Sequence, residues 1–153
     1  IFSRCQSIRV MPLSKEEAAR VKAMKPGDDR EEYNLFMDIF SDLMNSIVSR
    51  DPMGSLECGE TVASLESREK QKAFCNFAGD CIRKIFMVQQ NMKHIAGLDS
   101  QEEEFFSRVA GQCGNAFCTR TIANIEKVVS LIDRNVNSKI LFCDLVNRMF
   151  MNI

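Results

Sequence analysis

Apolar residues recur at intervals of three and four along most of this chain, and that pattern predicts helices rather than strands. The spacing Ser14-Lys15-Glu16-Glu17 has the form of a capping box and opens a short helix ending near Met24. Lys25-Pro26-Gly27-Asp28-Asp29 stops it. Tyr33, Phe36, Ile39, Phe40, Leu43, Met44 and Ile47 then form the stripe of a helix from about Arg30 to Ser49. After a break at Asp51-Pro52-Met53-Gly54, a helical region runs from about Ser55 to Ile95, with a polar middle at Ser64–Lys72 that suits a bend or loop. Its stripe is Phe74, Ala78, Cys81, Ile85, Val88, Met92 and Ile95, and Gly97 fits a C-terminal cap. Ser100-Gln101-Glu102-Glu103 opens one long helix to about Arg134, with the stripe Phe106, Ala110, Cys113, Phe117, Thr121, Ile125, Val128 and Ile132. Gly111 and Gly114 mark a kink or a close approach within it. Asn135-Val136-Asn137 turns the chain into a last helix from Ser138 to about Asn152.

No segment alternates with period two for long. The expected fold is therefore all-α: an antiparallel bundle of four to five helices, with loops short enough to make sequential helices neighbours. Residues 1–27 read as an N-terminal arm with a short helix, and residues 28–153 as the helical domain.

Composition narrows the classes. The chain has 153 residues, 20 basic against 21 acidic. That balance argues against a dedicated nucleic-acid binder. Its apolar runs are too short to span a bilayer. Few Gly and Pro with many Met and Phe agree with long helices. The sequence begins at Ile1 and stays basic through Arg4 and Arg9, which suits either a processed secretory chain or the remainder of a mitochondrial presequence.

Seven scattered cysteines are the most informative residues. None makes a C-x-x-C, and the single His94 completes no zinc pattern. Dispersed cysteines of this kind read as disulfides, which need an oxidising compartment. In one regular helix Cys113 and Cys118 would point about 140° apart, so each needs its own partner. Cys81 and Cys113 lie on the apolar stripes of adjacent helices, and Cys143 is placed to meet Cys118. Bridges Cys81–Cys113 and Cys118–Cys143 would then cross-link three helices of the bundle. Cys58 needs a third partner, with Cys5 and Cys75 as candidates. An odd count leaves one thiol free or available to a second copy in a homodimer. The competing reading is a set of reduced cysteines buried in an intracellular bundle.

At these cysteines the sequence resembles the stanniocalcin family of secreted helical hormones. The matching residues are Cys58, Lys72-Ala73-Phe74, Cys81-Ile82, Cys113, Cys118 and Cys143, and Ile125–Leu131 resembles the segment after the family's paired cysteines. The resemblance implies the same pairs, Cys81 with Cys113 and Cys118 with Cys143. Cys75 stands where the family has an apolar residue, so it is expected to be a free thiol or the partner of Cys58. The family's further bridge, glycosylation sequence and late dimer-forming cysteine have no counterpart here. The resemblance implies secretion and a non-catalytic role in calcium and phosphate balance, or inhibition of a secreted metalloproteinase. The partner would be a receptor or an extracellular proteinase, with no cofactor.

Other residues are weaker candidates. His94 reads as a solvated helix-end residue, and Glu102-Glu103-Glu104 as acids favoured by a helix N-terminus rather than a cation site. The Asp28-Asp29 and Glu31-Glu32 cluster has the same explanation. A Cys75 nucleophile with His94 lacks a third member, so no enzyme is expected. Met149, Phe150, Met151 and Ile153 read mostly as core, with excess apolar residues that suit a docking partner. Two alternatives stand beside the secreted hormone. One is a non-catalytic subunit of an intracellular, mitochondrial or other, assembly. The other is a secreted carrier holding a small apolar ligand between helices.

Overall fold

The structure, a computed structural model, describes residues 27–98 and 100–153. All regular structure among these residues is helical, as expected. The helices are α1 (Gly27–Val48), α2 (Pro52–Ala63), α3 (Arg68–Gln89), α4 (Lys93–Ala96), α5 (Ser100–Gln112), α6 (Asn115–Asp133) and α7 (Ser138–Asn152). The helix expected at residues 14–24, and Cys5, lie outside the described residues. The chain divides into two units, residues 1–34 and 35–153. Of the first, Gly27–Asn34 are the opening turns of α1. The second holds the buried core.

Local chemistry explains most boundaries. Asp51 is the N-cap of α2, accepting from the backbone N–H groups of Met53 and Gly54, and Pro52 occupies the first turn. Ser67 caps α3 through the N–H of Lys70. The region read from Ser55 to Ile95 is therefore two helices and a short third, split where its polar middle lies. Gly97 sits at φ 63° and ends α4 in the left-handed conformation that glycine adopts without strain. Asn137 caps α7 through the N–H of Ile140.

The expected stripes form the core. Phe36, Phe40, Leu43, Met44 and Ile47 of α1 are buried with Phe74, Ala78, Cys81, Ile85 and Val88 of α3. The whole stripe from Phe106 to Ile132 is buried as well. Tyr33, Met92 and Ile95 depart from it and are exposed. Phe36 meets Phe74 edge-on at 5.6 Å, and Phe40 meets Phe77 and Phe105, each at 6.4 Å.

Named contacts give the directions of the helices. Lys72 pairs with Asp133, Gly79 faces Ile125, and Gln89 meets Cys118, so α3 and α6 are antiparallel. Arg120 bonds Asn152 at 3.3 Å across the 134–137 turn, so α6 and α7 are antiparallel. Lys139 pairs with Glu60 and Arg50 donates to the carbonyls of Phe150 and Ile153, so α2 and α7 are antiparallel. The α3–α5 pair differs. Lys84 reaches Glu102 at 3.3 Å, while Gln89 reaches Ala110 and Cys113. These two helices run the same way, and residues 90–98 carry the chain back along α3. The bundle is thus not antiparallel throughout.

One boundary corrects the sequence reading outright. The long helix expected from Ser100 to Arg134 is broken at Cys113 and Gly114. Since α5 runs with α3 and α6 runs against it, the chain reverses there instead of kinking. Gly114 is extended, at φ −71° and ψ 155°, and serves as N-cap of α6.

Candidate functional site

Two glutamines sit eighteen residues apart on α3, which is five full turns, so both project from one face. Each ties helix ends together. Gln71 is buried; its Nε2 donates to the Ala63 carbonyl at the end of α2 at 3.0 Å, and its Oε1 accepts from the Ser138 hydroxyl at the start of α7 at 2.9 Å. Gln89 closes the other end. Its Nε2 donates to the carbonyls of Cys113 at 2.6 Å and Ala110 at 3.2 Å, and its Oε1 accepts from the Cys118 thiol at 3.5 Å. One amide therefore satisfies the last carbonyls of α5 and touches the first turn of α6, groups that an isolated helix leaves without partners. Arg68 plays a similar part beside Gln71, donating to the carbonyls of Ile132 and Val136.

The six described cysteines are free thiols, and neither expected bridge is formed. The register gives the reason. Cys81 lies within electrostatic reach of Lys84 and Glu102, at the start of α5. Cys113 ends α5, eleven residues or about 16 Å further on. It bonds Gln89, which is eight residues or about 12 Å beyond Cys81 along α3. A disulfide needs Cα atoms roughly 4–7 Å apart. Likewise the Arg120–Asn152 contact sets Cys143 level with about Val129, roughly 16 Å along α6 from Cys118. Cys143 instead lies near Lys139, which pairs with Glu60. Cys58 is half-buried and hydrogen-bonded to Ser46 of α1.

Five of these thiols are held protonated at neutral pH and react slowly as nucleophiles. Burial pushes Cys75 and Cys81 up to about 12, and Cys118 up to about 11. Cys113 rises to about 12, first through burial and then through the nearby Cys118. Burial, then the Asp42 carboxylate, also raises Cys58. His94 is exposed on α4, next to Lys93, which pairs with Glu103. Glu102, beside Glu103, pairs with Lys84, nine residues or about 13 Å along α3 from the buried Cys75, so Cys75 and His94 do not meet.

The acidic run is spread over two different cations. Glu102 pairs with Lys84 of α3, and Glu103 with Lys93 of α4 at 3.4 Å. The side chains of Asp28 and Asp29 lie outside the described residues. An open groove of about 430 Å³ lies between α3 and α6, with Cys75, Gly79, Ile122 and Ile125 on its floor and Asp80, Arg83 and Glu126 at its rim. Asp80 and Arg83 are themselves paired at 2.8 Å. Of the C-terminal apolar residues, Met149 is core, Phe150 and Ile153 are half-buried and Met151 is 74% exposed. None of the described helices is long and apolar enough to cross a membrane.

Sequence reasoning missed Gln71 and Gln89. The available signal was their position: each continues the apolar face of α3, at the spacing 71, 75, 78, 82, 85, 89, at one of its two ends. No family model, curated protein or solved structure matches this chain.

Proposed function

We propose that this chain is a non-catalytic helical protein that acts by binding a protein partner, with its thiols reduced inside the fold. The carrying observation is the helix register, which keeps Cys81 from Cys113 and Cys118 from Cys143 by more than ten ångströms of axial rise. Cysteines so placed serve as small apolar core residues. This favours the reading as a subunit of an intracellular assembly over the secreted, bridge-stapled one. The binding surface has support at one end of the α2–α7 pair. Met53 is 66% exposed and Met151 is 74% exposed, and the Arg50 bonds to the end of α7 bring their helix ends together.

The stanniocalcin-like reading is second. It rests on Lys72-Ala73-Phe74 and Cys81-Ile82, which occupy one helix, with Phe74, Cys81 and Ile82 all in the core. Its secretion, its calcium and phosphate role and its proteinase target depend on bridges at Cys81 and Cys143. Alkylation of the unfolded chain without reductant separates the two. The first reading expects Cys81 and Cys143 to be fully alkylated in protein taken from its native source. Protection of both, relieved by reductant, overturns it and supports the second.

A further inference from the structure

We infer that Cys113 and Cys118 are an oxidisable thiol pair, forming an intramolecular disulfide across the α5–α6 reversal by exchange with a small-molecule disulfide. The positions follow from the cap. With Gly114 as N-cap of α6, Cys113 is the residue before the cap and Cys118 is the fourth of the helix. Those two positions face each other, and apolar side chains there commonly pack together as a staple around the helix start. The divergence of about 140° that a continuous helix would impose does not apply, because the chain is not helical at Gly114. Gln89 holds both residues: its Nε2 on the Cys113 carbonyl, its Oε1 on the Cys118 thiol. The other described thiols are set apart, Cys81 toward Glu102, Cys58 on Ser46, Cys75 by the α3–α6 groove and Cys143 near Lys139.

The chemistry balances with the small disulfide as oxidant. Cys113 is 8% exposed as a residue where Cys118 is fully buried, so its sulfur attacks first, taking one sulfur of the small disulfide and releasing one small thiol. The Cys118 sulfur then attacks the mixed disulfide on Cys113 and releases the second. Two protein thiols are oxidised, one small disulfide is reduced, and the two protein protons leave on the two small thiols. Gln89 Oε1 loses its thiol donor, and the end of α5 becomes covalently tied to the first turn of α6. Burial of both thiols makes the exchange slow.

The test uses the intact, folded chain with excess oxidised glutathione, followed by acid quench, unfolding, alkylation and digestion with trypsin without reductant. Cleavage after Arg108 and Arg120 puts both cysteines in one peptide, residues 109–120. That peptide should appear unalkylated and two hydrogens lighter, while the chain loses two of its seven thiols. Cys118→Ser should instead accumulate glutathione on Cys113. A peptide 109–120 that stays fully alkylated in the wild-type chain overturns the inference, as does a Cys113 joined to any other cysteine, or wild-type chain that stops at the glutathione adduct.

Discussion

Gln89 and Cys113 are joined by a 2.6 Å hydrogen bond from the glutamine amide to the cysteine carbonyl, at the point where the chain reverses between α5 and α6. The same amide group reaches Ala110 and Cys118. Replacing Gln89 by Leu leaves two helix-end carbonyls without this donor. It should lower stability by about 2 kcal/mol. Its exposed neighbour Gln90, replaced by Ala, should change stability by less than about 0.5 kcal/mol. Urea denaturation of both variants measures the difference.

Two glycines predict opposite signs for one substitution. A Cβ on Gly59 would stand 3.2 Å from Val146 Cγ2 and 3.3 Å from the Phe142 carbonyl oxygen, which is held by its helix. A Cβ on Gly79 would meet nothing closer than 3.7 Å. Gly59→Ala should cost a net amount of about 1 kcal/mol, because crowding outweighs the gain in helix propensity. Gly79→Ala should stabilise by about 0.5–1 kcal/mol through propensity alone. Thermal melts of the two variants should move in opposite directions.

Thr121 is fully buried on α6, and its hydroxyl has no hydrogen-bond partner among the described residues. Valine has nearly the same shape and no polar atom to desolvate. Thr121→Val should therefore raise stability by about 1 kcal/mol, read as a higher urea midpoint with an unchanged slope.

The buried thiols set an alkaline limit. Cys75 and Cys81 move from 9.0 to about 12 on folding. The folded chain then holds protons that the unfolded chain releases, so their contribution is intact below about pH 9 and is lost as pH rises toward 12. Stability should fall between pH 9 and about 11, and fall less in the double variant Cys75→Ala, Cys81→Ala. Urea titrations at a series of pH values in that window test the sign.

Much of the fold is legible in the sequence because the stripes and caps agree. Asp51-Pro52, Gly97 and Asn135–Asn137 mark ends through local chemistry that needs no knowledge of neighbours. The reversal at Cys113 and Gly114 is not legible, because the stripe Ala110, Cys113, Phe117 and Thr121 keeps helical phase across it. Both helices bury that stripe, so periodicity alone reports one helix. The error then spread to the cysteines. A continuous helix sends Cys113 and Cys118 to different partners, whereas the reversal brings them to one glutamine. The polar ends of the α3 stripe carried the correction, but a buried glutamine gains meaning only when the helix ends facing it are known.

Helix register decides which cysteines can meet, and zero-length carbodiimide cross-linking of the folded chain reads that register directly. Amide links are expected for Lys84–Glu102, Lys72–Asp133 and Lys139–Glu60, the ion pairs that align α3 with α5, α3 with α6 and α2 with α7. A map that contains the second and third links but lacks Lys84–Glu102 would contradict the shared direction of α3 and α5, and with it the separation of Cys81 from Cys113.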